Sequence, residues 1–330
     1  MTARTTTSGM RIALLGGAGF VGSNLAHALA RDGAEVTVFD ALLDGYGGNL
    51  VNLEGTARPV TFVKGDARDG EAVAKVVAGQ DAIVNLLAQV SHSRGLKEPF
   101  LDLDLNARAN LVVLEEIRKH ADAAFVVFCG TRGQTGEPRR PKVDEDHPDD
   151  PTDMNGINKL AAEKYHRLYH RVHGLKTCSL RLGNTYGPRH QMKHGQYGVL
   201  NWFVRRALEG GAIELYGGGA QTRDYTFVED AAEAFRLALL RLKGDGAHYL
   251  IGSPFEATLR EIADLVVKAA GQGTIVERPY PPGVKEIEVS RFSTDFSRFA
   301  RATGWAPRVP LDEGIARTVA FYRERLRLYL

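Results

Sequence analysis

Gly16-Gly17-Ala18-Gly19-Phe20-Val21-Gly22 is the stretch that decides the fold of this chain. It follows a short apolar run, Ile12 to Leu15, and it opens a segment with helical periodicity that ends at Asp32-Gly33. This order predicts a buried strand, a glycine turn and an amphipathic helix. Glycines at such a corner let the backbone turn tightly and let the helix pack closely against the strand.

The corner has the form of a dinucleotide-binding motif. The start of a helix presents unpaired N–H groups and the positive end of the helix dipole to a pyrophosphate. A second apolar run, Glu35 to Phe39, ends in Asp40, about 20 residues beyond the glycines, where an acidic side chain accepts a hydrogen bond from a ribose 2′-hydroxyl. The sequence therefore predicts NAD rather than NADP as cofactor. The expected contacts are Gly16, Gly19, Phe20, Val21, Gly22 and Asp40.

The composition is that of an ordinary globular protein. The chain has 330 residues, of which 44% are hydrophobic and 25% charged, and a formal net charge of +2. This charge gives no basic footprint for nucleic acid, and no apolar stretch approaches the roughly 20 residues that cross a bilayer. Two cysteines, Cys129 and Cys178, are too few for a disulfide framework and lie in apolar runs typical of buried strands. We expect a cytoplasmic protein in which residues 1–9 form a disordered leader.

Short apolar runs recur along the first half of the chain, separated by segments with helical periodicity. Such runs are typical of parallel strands that are buried on both faces of a sheet. The runs are Ile12–Leu15, Val36–Phe39, Val60–Val63, Ala82–Leu87, Phe125–Phe128 and Thr177–Leu182. They predict an α/β fold with a doubly wound parallel sheet of the Rossmann type over residues 10–185.

The pattern changes after residue 185, where the loops become longer and richer in Gly, Arg and His. We interpret residues 186–330 as a smaller C-terminal α/β lobe that binds substrate, with 230–242 packing back onto the first domain. Thr258 and Glu261 form a capping box at the start of one of its helices. The predicted helices of this half are 198–209, 230–242, 257–270 and 311–326.

Several further motifs follow the glycine turn in order along the chain. They are Gly65-Asp66-Ala67-Arg68-Asp69, Asn85-Leu86-Leu87-Ala88, Gly130-Thr131, Asn184-Thr185-Tyr186-Gly187-Pro188-Arg189 and Gln221-Thr222-Arg223-Asp224-Tyr225. Together they resemble the extended short-chain dehydrogenase/reductase family, and within it the nucleotide-sugar epimerases and dehydratases. The resemblance covers nearly the whole chain, from Met10 to about Pro307.

This resemblance implies further contacts to the cofactor. Asp66 and Ala67 would lie against adenine, the alternative for Asp66 being a plain turn after a strand. Leu87 and Ala88 would lie against the ribose and the diphosphate, and Asn106 near the base of the active site. In this family two mid-chain helices pair across a homodimer, which we expect here as well.

The Tyr-x-x-x-Lys pair of the family is incomplete in this chain. In the family the lysine lowers the pKa of the tyrosine, so that the phenolate takes a proton from a sugar hydroxyl as hydride leaves for the nicotinamide. Lys159 occupies the lysine position, but Asn155 stands where the tyrosine should be. Because an amide does not titrate in a useful range, Asn155 can position a hydroxyl or bridge a water but cannot take the proton.

Other residues are candidates for the acid/base chemistry. Thr131 matches the family's catalytic serine or threonine and is expected to hydrogen-bond the sugar hydroxyl, unless it only caps the turn after its strand. His92, which follows the fourth strand and borders the sugar by analogy, is the first candidate for the base, since histidine has a pKa near ~6.5. A desolvated Lys159 is the second, and His190 and His194 are more distant options. Each lone histidine is more often an ordinary surface residue.

The residues after Thr131 argue against elimination chemistry. Arg132 and Gly133 stand where the family's 4,6-dehydratases have an aspartate–glutamate pair and its decarboxylases have a glutamate. We therefore expect an NAD-dependent nucleotide-sugar epimerase, which oxidises its substrate transiently to a keto-sugar and returns the hydride to the opposite face. The alternatives are a dehydratase or decarboxylase with an unconventional base, and a protein that binds NAD and a nucleotide sugar without catalysis.

A nucleotide-diphosphate sugar needs cationic and amide groups for its diphosphate. Arg223 lies where the family places a bidentate arginine, and Asn184 is expected to hold the diphosphate with its amide. The turn that ends in Arg189 would shape the pocket wall. Arg278 and Arg291 are further candidates for substrate binding, although each is also explained as an ordinary surface charge. No metal is expected.

Overall fold

A computed structural model describes residues 5–280 and 289–330, with the side chain of His92 left outside the description. Its strands, in chain order, are β1 (Arg11–Leu15), β2 (Glu35–Asp40), β3 (Thr61–Lys64), β4 (Ala82–Asn85), β5 (Phe125–Thr131), β6 (Lys176–Leu182), β7 (Asn184–Tyr186), β8 (Ala212–Tyr216), β9 (Thr222–Phe227), β10 (Asp245–Ile251), β11 (Glu256–Thr258), β12 (Thr274–Arg278) and β13 (Arg291–Phe292).

The α-helices cover both faces of the main sheet and build much of the second half. They are α1 (Phe20–Arg31), α2 (Gly70–Val77), α3 (His92–Lys97), α4 (Pro99–Leu103), α5 (Ala109–His120), α6 (Met154–His173), α7 (Val199–Leu208), α8 (Val228–Arg241), α9 (Leu259–Ala270), α10 (Ser297–Thr303) and α11 (Leu311–Arg325). Among the described helices, none is long and apolar enough to cross a bilayer.

The main sheet has seven parallel strands in the order β3-β2-β1-β4-β5-β6-β10. The strand order reverses between β1 and β4, and in open α/β sheets ligands bind at the carboxyl ends of the strands beside such a reversal. The predicted α/β fold with a doubly wound parallel sheet is confirmed. Strand β4 is fully buried and β1 is buried except at Arg11, which explains why they are continuous apolar runs in the sequence.

The chain returns to this sheet after residue 185. Helix α8 packs against α1, with the fully buried side chains of Leu25 and Phe235 in one apolar core. Strand β10 extends the sheet beside β6, and Trp305 joins the same core. The sequence gives no signal for the return of β10 and Trp305, because the sequence of a short strand does not reveal which strand it pairs with.

The start of the described chain is packed, in contrast to the expected disordered leader. Thr7 is fully buried, and both its backbone N–H and its hydroxyl donate to Oδ2 of Asp32, at 2.7 and 2.9 Å. Gly9 donates to the carbonyl of Gly33. These bonds attach residues 5–9 to the turn between α1 and β2, while residues 1–4 lie outside the described residues.

A second apolar core lies in the C-terminal half, between α7, α9 and α11. Leu200, Ile262 and Ile315 meet there, and the small parallel pair β8 and β12 packs against the helices. The predicted capping box opens α9: the Glu261 N–H donates to Oγ1 of Thr258 at 3.1 Å, and the Thr258 N–H donates to the Glu261 carboxylate at 2.7 Å.

The glycine corner joins β1 to α1 by direct backbone contact. A Cβ atom placed on Gly22 would lie 2.7 Å from the Cα of Gly17, and one placed on Gly17 would lie 2.8 Å from the carbonyl oxygen of Leu14. Real Cβ contacts of this length do not occur, so only glycine allows the helix to begin at this distance from the strand.

We predict that Gly22→Ala lowers the free energy of unfolding by about 1–3 kcal/mol, because the added methyl group overpacks this contact. The matched control is Gly47→Ala, where no atom lies within 4 Å of the added Cβ. It should change stability by less than about 1 kcal/mol. Urea denaturation measures both, and equal stabilities for the two variants would refute the packing argument.

Candidate active site

The glycine corner has the shape that a dinucleotide requires. Gly16 has a φ of +75°, and a Cβ there would lie 3.1 Å from the backbone of Leu86. Helix α1 begins at Phe20 without a side-chain cap among the described residues, so its first N–H groups remain for a phosphate. The cradle that a pyrophosphate needs is therefore present at the end of β1.

Asp40 is fixed beside this cradle. Its Oδ2 accepts from the Ala18 N–H at 3.1 Å, and its Oδ1 accepts from the Leu42 N–H at 2.9 Å. Burial raises the pKa of this carboxyl group above its ordinary value. Each oxygen keeps a second lone pair, so the carboxylate can accept a ribose hydroxyl as the sequence predicts. The residues present fit NAD.

The turn after β3 is closed by its own side chains. Asp66 forms an ion pair with Arg68 at 2.6 Å and also accepts from the Arg68 N–H at 2.9 Å. Ala67 is buried in the apolar core beneath β2. The contacts of Asp66 and Ala67 with adenine stay predictions, and so does the alternative that Asp66 only forms a turn.

The segment after β4 is held by side chains from two helices. Lys159 Nζ donates to the carbonyl of Leu87 at 3.2 Å, and Asn155 Nδ2 donates to the carbonyl of Gln89. Asn106, which lies in a π-helical turn, accepts from the Gln89 N–H at 3.0 Å and donates to its carbonyl at 2.9 Å. Asn106 thus positions the segment that carries Leu87 and Ala88, the residues expected to contact ribose and diphosphate, and π-helical turns frequently mark functional sites.

Lys159 is a buried cation. Its residue is 3% exposed, and Nζ lies 4.4 Å from the centre of the Phe128 ring. Burial lowers the pKa of the ammonium group to about 8. A substantial neutral fraction at slightly alkaline pH gives this lysine a lone pair that can take a proton.

The side chain of Asn155 has one defined orientation. A backbone carbonyl only accepts hydrogen bonds, so the atom that faces Gln89 O must be Nδ2. The side-chain oxygen Oδ1 is left to accept a hydrogen bond from a hydroxyl group. Asn155 is 4% exposed, so this oxygen is set in a protected position rather than in bulk water.

A carboxylate that the sequence did not single out lies at the centre of this polar cluster. Asp102 is 1% exposed and accepts N–H groups of Gln89 at 2.6 Å, Asn106 at 3.0 Å and Asn158 at 2.8 Å. Its negative charge counteracts the effect of burial on the pKa of Lys159. A polar residue on the buried face of the α4 segment was the available signal, but two of its partners, Gln89 and Asn158, come from other segments of the chain.

Thr131 lies at the carboxyl end of β5, and both its backbone and its side chain form hydrogen bonds. Its N–H donates to Oε1 of Gln134 at 2.8 Å, and its Oγ1 accepts from the Gly133 N–H at 3.3 Å. A Cβ placed on Gly156 would lie 2.5 Å from the carbonyl of Gly133. This close approach brings the turn after Thr131 against the first turn of α6, where Asn155 lies.

A carboxylate behind this turn is locked in an ion pair. Glu163 accepts from Gln134 Nε2 at 2.8 Å and from Arg181 at 2.6 Å, and it is fully buried. The net effect of its surroundings holds the pKa of Glu163 below its ordinary value, with Arg181 overcoming the opposing effect of burial. Glu163 is therefore a poor proton donor for a group bound at Thr131.

Two of the candidates for substrate binding, Asn184 and Arg223, lie on strands β7 and β9. Asn184 accepts from Arg132 Nε at 3.3 Å and donates to the backbone of Asp224 at 3.2 Å. Arg223 is 7% exposed and donates to the carbonyl of Thr222. Arg132 thus lies between Thr131 and Asn184, which brings the end of β5 next to the strands that carry Arg223.

Three other arginines form hydrogen bonds or ion pairs with neighbouring side chains. Arg189 donates to Oδ1 of Asn24 in α1 at 2.9 Å, so it ties the substrate half to the glycine corner instead of facing an open pocket. Arg278 pairs with Glu214 at 3.2 Å and Arg291 with Glu256 at 2.8 Å, both at the surface. The surface-charge alternative fits these last two, and a role in substrate binding stays a prediction for all three.

The histidines that are candidates for the catalytic base lie in different surroundings. His190 is packed edge-on against Phe20, and burial lowers its pKa to about 4, which makes it a weak base at neutral pH. His194 Nε2 lies 3.2 Å from the carbonyl of Gly45. The side chain of His92 lies outside the described residues, so its candidacy stays a prediction. No cluster that could hold a metal ion occurs in the described part of the chain.

Comparison with known proteins decides the family. The family model for the NAD dependent epimerase/dehydratase family matches residues 12–252. The chain belongs to this family. It is 33% identical to a UDP-glucose 4-epimerase of Mycolicibacterium smegmatis, over 96% of this chain and 99% of that one. It is also 33% identical to a dTDP-glucose 4,6-dehydratase of Streptomyces niveus, over 96% of this chain and 93% of that one.

A solved structure agrees with this assignment. The crystal structure of Thermus thermophilus UDP-glucose 4-epimerase in complex with NAD superposes with a TM-score of 0.84 at 33% identity, covering 96% of this chain and all (100%) of that one. The expected family and the NAD cofactor are confirmed. The relatives of this epimerase/dehydratase chain are enzymes that act on sugar nucleotides, and their names include both epimerisation and dehydration.

We predict that Lys159→Met gains stability relative to the original chain at pH 7 and loses that advantage at higher pH. The Lys159 pKa is about 8 in the folded chain against an ordinary value of 10.5, so between these values only the unfolded chain holds the proton. The free energy of unfolding of the original chain therefore rises with pH in this window. The difference between the two proteins should fall by about 3 kcal/mol from pH 7 to pH 10.

Urea denaturation of both proteins across this pH range measures the effect. The control is Lys164→Met in the same helix, which removes a lysine at the surface instead of a buried one: its side chain is 48% exposed and pairs with Asp149 at 3.0 Å. A pH-independent difference for Lys159→Met would show that burial does not shift this group.

Proposed function

We propose that this protein is an NAD-dependent nucleotide-sugar epimerase. The observation that carries the proposal is the meeting of Thr131, Asn155 and Lys159 beside the glycine cradle, at the carboxyl edge of the sheet. When bound, NAD accepts a hydride from a sugar carbon and returns it to the opposite face. The residues around it then have to hold the sugar hydroxyl and move its proton.

Lys159 is the group that we assign to proton transfer. The Thr131 hydroxyl and Asn155 Oδ1 orient the sugar hydroxyl, and neither of them takes up a proton at neutral pH. The pKa of Lys159, about 8, is close to the working range in which a general base is most effective. His92 and the more distant His194 are the remaining candidates, and the variant His92→Ala separates His92 from Lys159, since it should leave turnover intact if Lys159 is the base.

The surroundings of Thr131 favour epimerisation over elimination. Elimination needs a general acid next to the sugar. The family resemblance implies that 4,6-dehydratases carry two acidic residues after the threonine, and this chain has Arg132 and Gly133 at those positions. Glu163, the carboxylate behind the turn, is bound to Arg181. Arg223 and Asn184 supply a cation and an amide for a nucleotide diphosphate, consistent with the sugar nucleotides in the names of the relatives.

We predict that incubation with a panel of nucleotide sugars in deuterated water gives a product of unchanged mass and inverted configuration, with no NADH released. Mass spectrometry and NMR of the product measure this, because a closed hydride cycle takes up no solvent deuterium at the carbon that is oxidised. Loss of water or carbon dioxide would establish the dehydratase or decarboxylase instead. Binding of sugar nucleotides without any change in nicotinamide absorbance would establish a non-catalytic binding protein.

Matched threonine variants test the assignment of the site. Thr131→Val should lower kcat by about 10²-fold or more, since a hydrogen bond to the reacting hydroxyl is lost, while NAD stays bound. Thr318→Val removes a buried hydroxyl that donates to the carbonyl of Gly314 within α11, at 2.7 Å, and should leave kcat unchanged. Equal activities of the two variants would remove Thr131 from the mechanism.

We also infer that the protein forms a homodimer through α5 and α6. Apolar side chains stand exposed along these helices and the segment before them, which is unusual for a surface that faces only water. They are Phe100 (81% exposed), Leu103 (45%), Leu111 (38%), Ile157 (47%), Leu168 (42%) and Val172 (60%). Their spacing on α6 follows one stripe of the helix.

The double variant Phe100→Asp/Ile157→Asp should halve the molecular mass in solution, because it places charges in the apolar contact. Light scattering after gel filtration measures the mass. Leu328→Asp, at a residue that is 52% exposed away from these helices, is the control and should leave the mass unchanged. A monomeric original protein would contradict the inference.

A further inference from the structure

Two loops leave the sheet on either side of the glycine corner. Strands β2 and β4 are the two neighbours of β1, so the segments that follow Asp40 and Asn85 rise from the carboxyl edge on both sides of the cradle. NAD bound in this cradle would extend along this edge, with its adenosine at Asp40 and its nicotinamide toward Lys159. The path of the dinucleotide therefore runs between the bases of these two loops.

The two loops meet above this edge. The Arg94 guanidinium, from the β4 side, lies 4.6 Å from the centre of the Tyr46 ring, from the β2 side. Arg94 is oriented by an ion pair with Glu98 at 2.6 Å. A planar guanidinium over an aromatic face is a favourable contact, and it is stronger where water is partly excluded.

The substrate half adds a third segment to this contact. His194 Nε2 lies 3.2 Å from the carbonyl of Gly45, beside Tyr46. Tyr197 packs against His190, whose ring in turn contacts Phe20 of the glycine corner. Tyr197 therefore lies beside the glycine corner, and it is near enough to Tyr46 and Arg94 for electrostatic interaction with both.

Two phenol groups in this cluster lack partners. The hydroxyls of Tyr46 and Tyr197 are both buried, and neither has a hydrogen-bond partner in the described part of the chain. A buried hydroxyl without a partner costs free energy, so such groups point to a bound molecule that completes them. Burial raises the pKa of Tyr197 to about 12 and raises that of Tyr46, so both remain hydrogen-bond donors at neutral pH.

We propose that Tyr46, Arg94 and Tyr197 form a strap over the bound dinucleotide and hold NAD in place between turnovers. The two phenol hydroxyls donate to oxygen atoms of the cofactor, and the Tyr46–Arg94 contact closes the loops above it. The cofactor can then leave only when this contact opens. The inference depends on the family's use of NAD and is independent of whether the reaction is epimerisation or dehydration.

The dissociation rate of NAD tests the strap without any substrate. The protein is loaded with NAD, an enzyme that consumes free NAD is added in excess, and the NAD that remains bound is followed over time. Tyr46→Ala and Arg94→Ala should each raise the dissociation rate about tenfold. The double variant should be no faster than either single variant, because both remove the same contact.

Conservative variants separate the two parts of the strap. Tyr197→Phe removes only a hydroxyl and should raise the rate less than Tyr46→Ala, while Arg94→Lys keeps the charge without the planar stack and should raise it clearly. The matched control is Arg118→Ala, which breaks a comparable ion pair with Glu115 near the end of α5, at the opposite edge of the sheet. It should leave the rate unchanged.

Dissociation rates of Tyr46→Ala and Arg94→Ala within twofold of the original protein would overturn the proposal, provided that their circular dichroism spectra are native. If either alanine variant does not fold, Tyr46→Phe and Arg94→Lys decide in its place: an unchanged rate in both overturns the strap. An original protein that releases NAD as fast as these variants also overturns it.

Discussion

Backbone contact between Gly17 and Gly22 is the constraint on which the rest of the site depends. Because no side chain separates them, α1 begins directly at the end of β1. The intervening Ala18 then has a fixed position: its N–H donates to Asp40, and its carbonyl accepts from Asn52 at 2.9 Å. The close approach of Gly17 and Gly22 therefore fixes the positions of the cofactor cradle, of Asp40 and of the loop that carries Asn52.

Asn52 connects the glycine corner to the C-terminal half by hydrogen bonds. It is fully buried, and its amide also donates to the carbonyl of Arg189 at 3.3 Å, while its oxygen accepts from the Tyr329 hydroxyl at 2.8 Å. The two halves are thus joined next to the cradle by hydrogen bonds that a buried amide cannot lose cheaply. This junction fixes the backbone at Arg189 next to the glycine corner.

The change from tyrosine to Asn155 alters what its neighbour can do. An amide at this position bonds to the backbone of Gln89 and leaves an acceptor, but it supplies no titratable group. Burial lowers the pKa of the neighbouring Lys159 to about 8, and the nearby Cys129, Glu163 and Asp102 act in the opposite direction. Because the tyrosine that the family resemblance implies is absent, we propose that proton transfer falls to Lys159, one helical turn away.

Local sequence patterns predicted much of the fold and part of the candidate site. The glycine turn, the buried strands and the capping box at Thr258 could be predicted because each depends on residues close together in the sequence. The cluster around Asp102 and the contact of Arg94 with Tyr46 could not, since each joins segments that only the folded sheet brings together. The return of β10 to the sheet belongs to the same class, because register with β6 is a tertiary property.

The pH dependence of hydride transfer tests the central claim most directly. Protein loaded with NAD is mixed with an accepted nucleotide sugar, and the nicotinamide absorbance is followed in a single turnover across a series of pH values. A rate that rises with a single ionisation near the Lys159 pKa of about 8, unchanged in His92→Ala, is the predicted result. A rate that follows an ordinary histidine, with a pKa near ~6.5, and is lost in His92→Ala would contradict the account.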